Sequence, residues 1–129
     1  MEHLFSVRVY YEDTDMGGIV YHANFLKFIE RARSDWVAQM GIDQLAMRDE
    51  GGIVFAVRQV NAEFLKPARY GEDLVVRTGL ASVSGARMVM EQVVFRQDER
   101  LFSAEVTAVC MTLEGRPTRL PDVIRRLVP

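Results

Sequence analysis

The stretch Asn24-Phe25-Leu26-Lys27-Phe28-Ile29-Glu30-Arg31-Ala32-Arg33-Ser34-Asp35-Trp36-Val37-Ala38-Gln39-Met40-Gly41 decides the fold. Phe25, Phe28, Ile29, Ala32, Trp36 and Met40 recur every three or four residues, with Lys27, Glu30, Arg31, Arg33 and Asp35 between them. That period writes an amphipathic helix of about four to five turns, and Gly41 closes it. A single long apolar stripe must find a partner surface, and the rest of the chain supplies one.

Upstream, Leu4 to Glu12 alternates Phe5, Val7, Val9 and Tyr11 with Ser6, Arg8 and Glu12, the period of two that marks a strand. Downstream, a shorter helical piece runs from Asp43 to Glu50 and stops at Gly51-Gly52. Residues 53–65, 73–83, 87–97 and 100–113 then read as extended, rich in Val, Leu, Ile and Phe. They are broken by turn chemistry at Pro67-Ala68-Arg69-Tyr70-Gly71, Ser84-Gly85 and Gln97-Asp98-Glu99. Short connections between long strands favour antiparallel neighbours. Phe102, Ala104, Val106, Ala108 and Cys110 form a mostly small-residue face on which a helix can pack. Pro121 to Leu127 reads as a terminal helical turn. The expected architecture is α+β, with one strand, a long central helix and then a four-strand antiparallel meander, in one domain over residues 1–129.

Composition narrows the function. Sixteen Lys and Arg against eighteen Asp and Glu give a net charge of −2, which offers no sequence-independent hold on nucleic acid. No apolar run approaches the ~20 residues of a membrane helix, and the first residues turn polar before a signal peptide forms. The one cysteine, Cys110, suits a reducing cytoplasm and reads as packing. His3 and His22 are the only histidines, with no His-x-x-x-His or Cys-x-x-Cys spacing, so no metal site is expected.

Functional residue types concentrate in Glu12-Asp13-Thr14-Asp15-Met16-Gly17-Gly18-Ile19-Val20-Tyr21-His22-Ala23-Asn24, between the first strand and the long helix. A carboxylate there can act as nucleophile or as general base for water. The helix start offers unpaired N–H groups and a positive dipole end for an oxyanion. Glycines let backbone approach a ligand. An ordinary strand-to-helix loop, with Asn24 as the helix cap, has the same composition. Phe25, Phe28, Met40, Phe55 and Phe64 read as core, and as pocket liners only in being apolar.

Val9-Tyr10-Tyr11-Glu12-Asp13-Thr14-Asp15-Met16-Gly17-Gly18-Ile19-Val20-Tyr21-His22-Ala23-Asn24-Phe25, with Phe28-Ile29-Glu30-Arg31-Ala32-Arg33, resembles the signature of the hotdog-fold acyl-CoA thioesterases of the 4-hydroxybenzoyl-CoA thioesterase superfamily, YbgC type. The likeness continues through Phe55-Ala56-Val57-Arg58, Glu63-Phe64-Leu65-Lys66-Pro67-Ala68-Arg69 and Arg116-Pro117-Thr118-Arg119-Leu120-Pro121. The resemblance implies an antiparallel sheet wrapped around one helix, paired edge to edge into a homodimer and often again into a homotetramer. It implies hydrolysis of an acyl-CoA, with coenzyme A as part of the substrate and no cofactor. Asp15, the second aspartate of Asp-x-Asp, falls at the position of the catalytic carboxylate, with Asp13, Tyr21 and Gly18 in support. The thioester oxygen would be polarised by backbone N–H near His22, whose imidazole is a second catalytic candidate. Some relatives carry a basic residue at the turn before the fourth strand, where this chain has Ser84-Gly85-Ala86-Arg87. Lys66, Arg69 and Arg87 are candidates for the coenzyme A phosphates on charge alone. The YbgC association with the Tol-Pal envelope system adds an alternative, a module that binds acyl-CoA or acyl carrier protein at the envelope or phospholipid-synthesis machinery with little turnover. The Asp-x-Asp loop speaks against a hotdog dehydratase.

Overall fold

The computed structural model describes residues 2–127. Strand β1 (Glu2–Arg8) leads through a short 3-10 turn (Tyr11–Asp13) to helix α1 (His22–Gln39) and the short α2 (Gln44–Asp49). Strands β2 (Ile53–Phe64), β3 (Asp73–Ser84), β4 (Arg87–Arg96) and β5 (Glu99–Thr112) follow, and α3 (Asp122–Arg125) comes last.

All neighbouring strands are antiparallel, in the order β1-β3-β4-β5-β2. The expected four-strand meander is therefore only partly present. β3, β4 and β5 do meander, but β2 lies beyond β5, with Phe55 opposite Cys110 and Phe64 opposite Phe102. The reason is the segment 65–72, which crosses the sheet end instead of turning back. The N–H groups of Leu65 and Lys66 donate to the Leu101 carbonyl, Arg96 donates to the Pro67 carbonyl, and Gly71 N–H reaches the Val9 carbonyl. Three interstrand spacings, about 14 Å, are well within the reach of eight residues.

The first strand also stops sooner than its alternation suggests. Val7 and Val9 are buried as expected, but Tyr10 N–H donates to the Asp13 carboxylate, the chain curls, and Tyr11 is left 83% exposed.

The stripe on α1 behaves as its spacing dictates. Phe25, Phe28, Ile29, Ala32 and Trp36 are buried against the sheet, each large side chain contributing about 1.5–3 kcal/mol of burial. The helix backbone comes nearest β3, β1 and β4. The β5 face of Phe102, Ala104, Val106, Ala108 and Cys110 is buried in the same core, and Phe25 stacks on Phe102 at 5.1 Å with the rings 6° apart. Burial pushes the Cys110 thiol above its ordinary range, consistent with packing. Two polar ties fix the helix on the sheet. His3 Nε2 and Asp35 Oδ2 are 2.7 Å apart, and the fully buried Gln92 donates to the Ile29 carbonyl and to Thr78 Oγ1.

One edge of β2 bonds β5, and no described strand covers the other. Val57, Val60 and Phe64 stand exposed along β2.

Candidate active site

The loop between β1 and α1 folds on its own hydrogen bonds. Gly18 N–H donates to the Asp15 carbonyl at 2.9 Å and Asp15 N–H to the Ile19 carbonyl at 3.0 Å, while Thr14 and Val20 form an isolated bridge. Gly18 takes φ 78°, the left-handed conformation that such a three-residue loop demands of its last residue. Its contribution is a backbone conformation, since a Cβ there would meet nothing within 4 Å. Gly17 does the close approach: its N–H donates to Asp15 Oδ1 at 2.9 Å, and a Cβ would stand 3.3 Å from that oxygen.

The two aspartates of Asp-x-Asp have opposite surroundings. Asp13 is buried, and its carboxylate accepts Tyr10 N–H at 2.8 Å and the Asn24 side-chain amide at 2.9 Å. Its carbonyl accepts Tyr21 N–H, so both ends of Asp13 hold the loop to the helix start. Asp15 is exposed, with Gly17 N–H the donor to its carboxylate among the described residues. Asn24 is not the helix cap. Tyr21, in extended backbone, occupies that position, and Asn24 sits in the first turn because Asp13 takes up its amide.

His22 opens α1, so its backbone N–H and that of Ala23 point out of the helix start, and no acceptor engages them among the described residues. The imidazole is exposed, its ring 4.6 Å from that of Tyr21 and edge-on to Phe64 at 5.9 Å. Beside it opens a cleft of about 260 Å³ between Ile19, Val20, His22, Phe25, Phe64 and Lys66. Phe64 is therefore a liner, half exposed, whereas Phe28 is pure core. Phe55 and Met40 are half buried elsewhere.

The basic candidates separate. Lys66 reaches the rim of this cleft and pairs with Glu99 at 2.7 Å. Arg69 is joined to Ile19 by a bridge, its side chain exposed. Arg87 begins β4, the length of that strand, about 30 Å, from Arg96 and the crossover. A single protomer does not bring Arg87 to this loop. Sequence reading missed the groups that hold the crossover in place: Arg96 pairs with Glu72 at 2.8 Å and also donates to Glu99. Only long-range geometry joins these residues. No group of His, Cys, Asp and Glu suited to a metal occurs among the described residues.

The chain is similar along nearly its whole length to proteins of known class. Residues 9–128 match the Thioesterase-like superfamily. The acyl-CoA thioesterase YbgC of Haemophilus influenzae is 35% identical over 122 residues, which cover 94% of this chain and 90% of that protein. The acyl-CoA thioester hydrolase YbgC of Escherichia coli O6:H1 is 39% identical over 120 residues, covering 92% and 89%. The crystal structure of a probable thioesterase from Bartonella henselae superposes with a TM-score of 0.90 at 36% identity, covering 94% of this chain and all of the other. Helix, sheet and sequence agree with the expected YbgC-type resemblance, and the chain belongs to the Thioesterase-like superfamily of hotdog-fold thioester hydrolases.

Proposed function

We propose that this protein hydrolyses an acyl-CoA thioester to the free acid and coenzyme A, with Asp15 as the reacting carboxylate. The observation that carries this reading is the contrast within Asp-x-Asp. Asp13 spends its carboxylate on Tyr10 and Asn24, while Asp15 stands at the surface with Gly17 N–H as its donor among the described residues, in the loop that leads into the helix start where the N–H groups of His22 and Ala23 are open.

Asp15 either takes a proton from water as it attacks the carbonyl carbon, or attacks that carbon itself to give an anhydride that water then opens. Both routes pass through a tetrahedral oxyanion, which the helix-start N–H groups would hold. One such donor is typically worth about 3–4 kcal/mol of barrier. The thiolate of coenzyme A leaves and takes up the proton that Asp15 removed from water, or one from solvent, with the exposed imidazole of His22 as the candidate relay. Tyr21 and Asp13 tie the loop to the helix start, and Lys66 on the rim of the cleft, with Arg69 bridged to its lining residue Ile19, would meet the phosphates of coenzyme A.

The reading includes a homodimer, and a homotetramer by further pairing, in the cytoplasm. The open edge of β2 with its exposed Val57, Val60 and Phe64 is a surface that a second copy would cover, strand against strand. Antiparallel self-pairing of β2 brings the Phe55 end of one copy beside the Phe64 end of the other. That is also how Arg87, remote in its own protomer, would approach a site.

The test is thiol release from acyl-CoAs of several lengths, and from the same acyl groups on acyl carrier protein. Asp15→Asn lowers kcat by at least about 100-fold. Parent-like turnover in that variant removes Asp15 from the mechanism, and Asp13→Asn run beside it exposes a swapped assignment. Binding without release on every thioester would favour the Tol-Pal or phospholipid-synthesis binding module instead.

A further inference from the structure

A second cleft, of about 190 Å³, lies between α1 and the sheet at the far end of β2. Val37, Phe55, Met88, Met90 and Ala108 give it an apolar floor, and Arg33 reaches into it. No carboxylate comes within 4.0 Å of the Arg33 guanidinium among the described residues, and its one side-chain partner is neutral, the Gln92 Oε1 acceptor at 2.9 Å. Gln92 is itself locked by Ile29 and Thr78, so the guanidinium is aimed rather than free. Glu30, on the rim, is occupied by the Ser34 hydroxyl at 3.2 Å to each oxygen.

A half-buried guanidinium without an ionic partner is costly, and burial lowers the pKa of Arg33 while Glu30 partly offsets this. A ligand carboxylate would relieve that cost through paired, charge-assisted hydrogen bonds. The cleft is a little larger than the ~150 Å³ cavity that holds benzene, so about six or seven non-hydrogen atoms fit.

Position determines whose substrate enters. Arg33 lies eleven residues along α1 from His22, about 16 Å, too far for so short a group attached at the same protomer's Asp15 loop. Phe55 and Phe64 likewise mark opposite ends of β2. When two β2 edges pair antiparallel, those ends meet, and the Arg33 cleft of one copy adjoins the His22 cleft of the other.

We propose that the Arg33 cleft of the second copy receives the acyl group, and that its guanidinium and apolar floor select a short acyl chain ending in a carboxylate. This rests on the thioesterase reading and on the β2 pairing above.

The test compares glutaryl-CoA with pentanoyl-CoA, equal in chain length and different in the terminal carboxylate. The native protein has the higher kcat/KM on glutaryl-CoA, and Arg33→Met lowers the glutaryl-to-pentanoyl ratio by about 10- to 100-fold. Arg33→Lys, which keeps the charge, retains part of the preference and separates lost recognition from lost folding. Co-expression of Asp15→Asn with Arg33→Met gives a mixed dimer in which one site keeps Asp15 from one chain and Arg33 from the other. That dimer shows the native ratio; the Arg33→Met ratio there would overturn the shared site. A native preference for pentanoyl-CoA, or a ratio unmoved by Arg33→Met, overturns the selectivity. Absence of turnover on both thioesters sinks the thioesterase reading instead. Calorimetric binding of the two thioesters to native and Arg33→Met protein then decides the subsite separately, equal affinities refuting it.

Discussion

Replacing Asn24 with Ala removes the amide that Asp13 Oδ1 accepts at 2.9 Å and leaves a buried carboxylate oxygen without its partner. A hydrogen bond to a charged group contributes about 1.5–3 kcal/mol. Alanine is the better helix former, which returns about 0.6 kcal/mol at a first-turn position of α1. The net loss is about 1–2.4 kcal/mol. An unfolding entropy of about 2.1 cal/mol/K per residue over 129 residues converts this to a fall in Tm of about 3–9 °C. Calorimetry at one fixed protein concentration measures it, because self-association would make Tm depend on concentration. Asp13→Ala and the double variant complete a cycle, with an expected coupling of at least about 0.5 kcal/mol. Additive effects, or a Tm within 1 °C of the parent for Asn24→Ala, would refute the claim that this pair holds the loop to the helix.

Phe102→Ala opens the stack with Phe25 in the centre of the core and lowers stability by about 3–5 kcal/mol, read by denaturant unfolding; a loss below about 1 kcal/mol would contradict its central packing. At the crossover, hydrogen bonds from Lys66 first and then Arg96 hold the Glu99 carboxyl below its usual range. A depressed folded value means that the stabilisation is complete above the unfolded carboxylate range, near pH 4.3, and is lost as pH falls through the lower folded value. Protection factors in residues 65–72, exchange rates corrected for the intrinsic slowing of amide exchange in acid, therefore fall on acidification in the parent, and Glu99→Gln flattens that dependence; equal profiles would remove Glu99 from the network.

Much of the fold was legible because it rests on periodicity. The α1 stripe and the β5 face follow from which residues must leave water, and both are buried as read except for Met40, half buried at the end of the stripe. The position of β2 was not legible. Residues 65–72 have turn composition whether they form a hairpin or cross the sheet end, and only hydrogen bonds to Leu101, Arg96 and Val9 distinguish the two. At the loop, spacing could not separate the two aspartates. Asn24, read as a cap, took the Asp13 carboxylate instead, and that choice depends on where the curl at Tyr10 places Asp13.

By itself the sequence determined the elements, the apolar faces and, through the Asp-x-Asp-x-Gly-Gly run and its continuation, the family. These are local or patterned properties, written in neighbours a few residues apart. Tertiary structure alone decided which aspartate is sealed and which is open, which edge of the sheet no described strand covers, and that Arg33 faces an apolar-floored cleft with a buried glutamine as its side-chain partner among the described residues. Each of those depends on residues tens of positions apart meeting in space, where burial and hydrogen-bond geometry set what a side chain can do.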